Sequence, residues 1–157
     1  METECLQEKY AKNSICFGCG PANTKGLRIR SFPDLSHPGE VVAEFSPESF
    51  HEAFPGMLNG GIIGALLDCH SNWTAAYTLM QRQNLDQPPC TVTADFHVTL
   101  KRPTPSGEKV FLRAKAIDVK DDRALIEATL EAGGKICAIC KGTFVAVKPG
   151  HPAYHRW

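Results

Sequence analysis

Apolar residues follow two different periods along this chain. Ile62, Ile63, Leu66, Leu67, Trp73 and Tyr77 recur at helical spacing, and Asn59 stands where an N-cap belongs. The pattern predicts a helix from just after Asn59 to about Gln81. Elsewhere the signal is β. Residues 27–32 (LRIRSF) alternate with period two, residues 37–40 (HPGE) read as a turn, and residues 41–45 (VVAEF) as a returning strand. Pro47, Pro55 and Gly56 punctuate residues 46–58, which are expected to be irregular. Past Gln81, residues 91–100, 109–119, 124–131 and 136–147 predict four strands joined by short connections, an antiparallel meander. Residues 2–12 suit a short helix, and residues 16–26 are rich in turn formers.

The element order is thus β-β-α-β-β-β-β, an α+β class in which a sheet curls around one long helix and buries the apolar faces of both. At 157 residues the chain makes one domain (1–157), with an N-terminal extension (1–26) and a C-terminal tail (148–157). Seventeen basic residues balance 17 acidic ones, so no nucleic-acid partner is expected. The one long weakly charged stretch, residues 53–81, carries Asp68, His70, Ser71 and Asn72 at its middle, which argues against a membrane span. Seven cysteines, an odd number, and a polar opening (METECLQEKY) predict free thiols in a reducing, cytoplasmic setting.

Asp68 is the sole Asp, Glu, Lys or Arg between Glu52 and Arg82. The helix face around it is small and polar: Gly61, Gly64, Ala65, Ser71, Asn72 and Ala75. A carboxylate there either faces water or acts as a functional acid. Asn59-Gly60-Gly61 opens the same helix with bare N–H groups and the positive end of its dipole, which suits an anion or a developing oxyanion. Eight residues separate Gly60 from Asp68, about 12 Å along a helix. One small carbonyl cannot touch both on one chain. Joint action therefore requires two helices from two subunits.

The run Asn59-Gly-Gly-Ile-Ile-Gly-Ala-Leu-Leu-Asp68 resembles the signature of hotdog-fold acyl-CoA thioesterases, in the branch typified by phenylacetyl-CoA thioesterase. The opening Cys16-Phe-Gly-Cys-Gly-Pro-Ala-Asn-Thr-Lys-Gly-Leu27, the strand Thr93-Ala-Asp-Phe-His-Val-Thr-Leu-Lys-Arg-Pro103 and the last strand Gly142-Thr-Phe-Val-Ala-Val147 are similar to that family too. The resemblance implies that the Gly60 N–H polarises a thioester carbonyl. It implies that Asp68 of the partner subunit activates water or attacks directly, and that Thr93 helps to place that water. It further implies an acyl-CoA or similar thioester as substrate, no cofactor, and a homodimer, alone or paired into a tetramer. The departure is Asn59, where the family usually has His; Asn donates a hydrogen bond or caps the helix but holds no charge. His51, in the preceding loop, is a candidate for the missing imidazole.

Further candidates for substrate binding are Gly61, Ser71, Phe54 and Met57, with Trp73 and Tyr77 in the pocket floor and Lys101 and Arg102 meeting the phosphates of coenzyme A; Lys135 is a second choice for that role. Alternatives are a thioester-binding protein that does not cleave its ligand and an enoyl-CoA hydratase pairing Asp68 with His70. His70 itself reads first as a packed core residue. No metal is assigned. Cys137 and Cys140 lie three apart on a strand and are expected to point to opposite faces, whereas Cys16 and Cys19 would need a further ligand that the sequence does not identify.

Overall fold

A computed structural model describes residues 4–156. The chain runs α1 (Leu6–Tyr10), β1 (Arg30–Pro33), β2 (Glu40–Phe45), a 3-10 turn (Ser49–His51), β3 (Glu52–Phe54), β4 (Met57–Leu58), α2 (Gly60–Arg82), β5 (Thr91–Leu100), β6 (Val110–Lys120), β7 (Arg123–Ala132) and β8 (Lys135–Ala146). Six strands form one antiparallel sheet in the order β1-β2-β6-β7-β8-β5, and β3 and β4 form a separate two-stranded ribbon.

The helix starts because Asn59, in an extended conformation, accepts N–H bonds from Gly61 and Ile62 on its side-chain oxygen. Its apolar positions then set its place. Ile63, Leu66 and Leu67 face the sheet, and from His70 to Ala76 every residue is buried, so α2 runs through the middle of the molecule. The sheet meets it with alternate inward residues, including Val41, Leu112, Ile126, Leu130 and Phe144. Ala43, Ala114, Ala124, Ala128 and Ala138 on the same face leave room for the helix to sit close. Full burial of side chains such as Leu66 and Leu79 contributes about 1.5–3 kcal/mol each.

A buried polar chain fixes the N-terminal extension and α2 against the sheet edge. Gln7 Nε2 donates to Ser31 Oγ (3.0 Å), and Gln7 Oε1 accepts from the Ser31 N–H (2.8 Å). Ser31 Oγ also pairs with His70 Nδ1 (2.8 Å), and His70 Nε2 lies 3.0 Å from the Val41 carbonyl. Every polar atom in this row finds a partner, as burial demands.

Four expectations change. The four late strands are not one meander: β6, β7 and β8 are, but β5 pairs with β8 at the far edge. The connection after β5 contains Pro103 and Pro105 and cannot close a tight hairpin; it crosses the sheet end instead, where Met57 bridges Pro105 and the Leu58 N–H reaches the Thr104 carbonyl. Residues 27–29 are not part of β1. Arg28 has a positive φ of 52°, and Leu27 and Ile29 donate to the carbonyls of Phe17 and Gly18. Residues 52–58 hold the β3–β4 ribbon rather than irregular chain. The N-terminal helix spans only Leu6–Tyr10; Glu2 and Thr3 of the expected helix, like Trp157 of the tail, lie outside the described residues.

Candidate active site

The carboxylate of Asp68 projects from the middle of α2 toward the start of β5. There Thr93 Oγ1 donates to Asp68 Oδ1 at 2.6 Å. A bulge between Thr93 and Asp95 in the β5–β8 pairing adjusts the strand at this point. Just past the bulge Gly142 pairs with Phe96, where a Cβ would lie 2.8 Å from the Asp95 carbonyl oxygen and 2.9 Å from Phe96 Cβ. Asp68 is half-buried, and burial pushes its pKa above the ordinary carboxylate value; the Thr93 hydroxyl opposes that shift, Cys16 adds to it and Arg156 opposes it.

The surroundings of Asp68 include groups that sequence patterns do not reveal. Cys140 on β8 adjoins Ser71 and Asp68, and burial holds its thiol at about 11. Ser71 Oγ and Asn72 Oδ1, one turn further along α2, are buried without a hydrogen-bond partner among the described residues. Arg156 comes from the tail, whose side chain donates to the Thr91 carbonyl and so returns to the start of β5. A cation eighty-eight residues away in sequence has no local signature pointing to Asp68.

At the N-terminal end of α2 the donors are divided. Asn59 Oδ1 takes the N–H groups of Gly61 (2.7 Å) and Ile62 (3.2 Å). Gly61 therefore has no free N–H to offer a substrate. The Gly60 N–H has no acceptor among the described residues. It stands two turns of helix from Asp68, about 12 Å, so one chain does not bring the two together. The end of β5 flanks it: a Cβ on Gly60 would sit 3.4 Å from Leu100 Cδ1.

The other candidates lie around that end. His51 accepts the Asn59 N–H on its carbonyl (2.9 Å), while its Nδ1 accepts from the Glu48 N–H (3.0 Å) and its ring packs on Phe45 and Phe50. Only Nε2 remains for other work. Phe54 (60% exposed) and Met57 sit on the β3–β4 ribbon just before the helix. Lys101 and Arg102 follow β5 and are exposed at the same end of the molecule, with Arg102 Nε donating to the Ile136 carbonyl at 3.1 Å. Lys135 is exposed at the turn between β7 and β8, where Gly133 and Gly134 both have positive φ.

Two expectations are corrected here and one is met. Trp73 is not an open pocket floor: it is 1% exposed and its Nε1 donates to Cys19 Sγ (3.4 Å). Cys137 and Cys140 do not face opposite ways, because a register shift between Leu130 and Glu131 lets both thiols turn inward. His70, with both ring nitrogens engaged in the core and burial holding its pKa near 4, is as expected a packed residue. An enoyl-CoA hydratase reading is thereby left without the histidine it would pair with Asp68.

No helix among the described residues is long and apolar enough to cross a membrane. A groove of about 1160 Å³ lies against the outer sheet face at Phe32, Val42, Phe111, Thr129 and Ile136, not at Asp68.

No protein-family model matches the sequence, and no curated protein matches it significantly. Solved structures do match. A thioesterase superfamily protein from Shewanella loihica PV-4 is 28% identical, with a TM-score of 0.64 over 82% of this chain and 98% of its own. A phenylacetic acid degradation-related protein from Ralstonia eutropha JMP134 is 18% identical, with a TM-score of 0.65 over 80% and 90%. A thioesterase from Haemophilus influenzae is also 18% identical, with a TM-score of 0.63 over 80% and 84%. One long helix packed against a six-stranded antiparallel sheet, and the likeness to these structures, give this chain the hotdog fold.

Proposed function

We propose that the chain is a thioester hydrolase that cleaves acyl-CoA or a similar acyl thioester at sites built across a homodimer. The observation that carries this reading is the separation of two prepared groups: a half-buried Asp68 bonded to Thr93, and an unpaired Gly60 N–H two helical turns away.

The edge of the sheet offers a way to unite them. β5 is an edge strand of ten residues with no proline, and residues 94–97 at its centre are exposed. Such an edge invites pairing with another strand. Antiparallel pairing of two β5 strands about a two-fold axis between Phe96 and His97 sets Thr93 of one copy opposite Leu100 of the other. Because Thr93 marks Asp68 and Leu100 marks Gly60, the partner's N–H group and this chain's carboxylate then face one space, twice per dimer.

In that space the Gly60 N–H, backed by the helix dipole, polarises the thioester carbonyl. Asp68 takes a proton from water as the water oxygen attacks the carbonyl carbon. The tetrahedral oxyanion collapses, the C–S bond breaks, and the thiolate leaves with the proton that Asp68 returns. Thr93 holds Oδ1 so that Oδ2 meets the water. Ser71 and Asn72 offer buried polar atoms beside the acyl group, and Lys101 and Arg102 lie at the Gly60 end to meet phosphates. Thiol release from a panel of acyl-CoA substrates, compared between the native protein and Asp68→Asn, tests the reading: loss of turnover in the variant supports it, and equal rates contradict it.

Asn59 favours one second reading. With its oxygen committed to capping, only its amide N–H remains where the family usually has His. A protein that retains the thioester without cleaving it would bind the same panel and release no thiol.

A further inference from the structure

Two cysteines three residues apart and a third some fifty residues further on meet on the outside of α2. Cys16 and Cys19 come from the N-terminal extension and Cys69 from the helix, and their Sγ atoms all lie within 4.8 Å of one another. Cys16 Sγ and Cys69 Sγ are 3.8 Å apart. That is too long for a disulfide, but it equals the edge of a tetrahedron of sulfur ligands about 2.3 Å from zinc, roughly 3.8 Å.

The backbone is shaped to hold this arrangement. Gly18 presses on Cys69, since a Cβ there would be 2.3 Å from its Sγ, and a Cβ on Gly20 would be 2.4 Å from the Cys16 nitrogen. The Gly20 N–H closes the turn onto the Cys16 carbonyl at 2.8 Å, and Leu27 and Ile29 tie down Phe17 and Gly18 from the other side. The Trp73 indole N–H points at Cys19 Sγ (3.4 Å). A donor aimed at sulfur belongs to the outer shell that supports a thiolate ligand.

From this geometry we infer that Cys16, Cys19 and Cys69 together bind one zinc ion, which clamps the N-terminal extension onto the helix that carries Asp68. Three sulfur donors select zinc over magnesium or calcium. Cys16 is exposed, Cys69 half-buried and Cys19 buried, so one side of the cluster opens to solvent. Among the described residues no fourth ligating side chain joins the group; solvent completes the tetrahedron. Binding of a divalent cation to three thiols displaces their protons.

The inference does not depend on the hydrolase reading, and its test reads metal rather than turnover. The full-length protein, reduced and stripped with chelator, is titrated with Co2+ and then Zn2+. Thiolate-to-cobalt charge transfer and reaction of the seven thiols with a disulfide reagent are followed for the native protein, Cys16→Ser, Cys69→Ser and Cys90→Ser. The expected result is one cobalt per chain in the native protein and in Cys90→Ser, with charge-transfer bands that zinc abolishes. Three thiols become protected, and Cys16→Ser binds more weakly by at least about tenfold, the cost of disturbing even an outer-shell partner. Should Cys69→Ser not fold, the exposed Cys16 decides, since its loss removes no buried side chain. Absence of charge-transfer bands in the reduced native protein, or equal uptake by Cys16→Ser, overturns the inference.

Discussion

Thr93 Oγ1 donates a 2.6 Å hydrogen bond to Asp68 Oδ1, joining the edge strand β5 to the middle of the central helix. A hydroxyl bond to a half-buried carboxylate favours its charged form and fixes which oxygen is free. Thr93→Val keeps the β-branched shape and removes the donor. Turnover is expected to fall about 10- to 100-fold, in line with a bond of 1.5–3 kcal/mol to a charged group, while circular dichroism is unchanged. Rescue of the rate by Thr93→Ser checks that the hydroxyl, not the methyl, carries the effect.

Gly142 pairs with Phe96 just past the bulge beside Thr93, where the space for a Cβ is already occupied by the Asp95 carbonyl and by Phe96 and Phe144. Gly142→Ala overpacks this point. It is expected to cost about 1–3 kcal/mol in a urea titration and to lower turnover with it, since the displaced segment carries Thr93.

Asn59 is the cap of α2 before it is anything else. Asn59→Ala leaves the Gly61 and Ile62 N–H groups unpaired and is expected to destabilise the fold by about 1 kcal/mol. For a domain of this size that lowers Tm by about 2–4 °C, readable by calorimetry. Asn59→Asp, which keeps the accepting oxygen, is expected to show little of this loss.

At the sheet edge Arg113 and, second, His37 hold the Asp34 carboxyl down to about 2, from the 3.8 expected without partners. A depressed folded value means that the ion pair stabilises the fold fully above pH 3.8 and loses that effect as pH falls through about 2. The Tm difference between the native protein and Asp34→Asn is therefore expected to shrink as pH falls from about 4 through about 2 and to vanish below that. A difference that persists well below pH 2 would show that the pair acts by packing rather than by charge.

Much of the fold is legible in the chain because its elements are long enough to show a period. The helix after Asn59 and the strand Thr91–Leu100 stand where the pattern predicts. What escapes is whatever depends on contacts between distant segments. No periodicity tells that β5 joins β8 instead of β6; the decision lies in how Pro103 and Pro105 bend the connection. The β3–β4 ribbon is too short for any period. Asp68 and the Asn59-Gly60 entry are visible because a lone carboxylate and paired glycines are locally odd. Arg156, Cys140 and Cys69 are ordinary in their own neighbourhoods, and only folding brings them to Asp68 and Cys16.

The cross-subunit claim is tested most directly by mixing two inactive variants. Gly60→Pro removes the one N–H the mechanism needs, yet proline is favoured at the first helical position, and Asn59 already has the extended backbone (ψ 135°) that precedes a proline. Asp68→Asn removes the carboxylate. Each alone is expected to lose about 10²-fold or more. After the two are exchanged at equal concentrations, half of the dimers carry one intact site, so thiol release returns to roughly a quarter of the native rate per chain. If the mixture stays as inactive as its components while native mass spectrometry shows exchanged dimers, Asp68 and Gly60 do not meet across an interface.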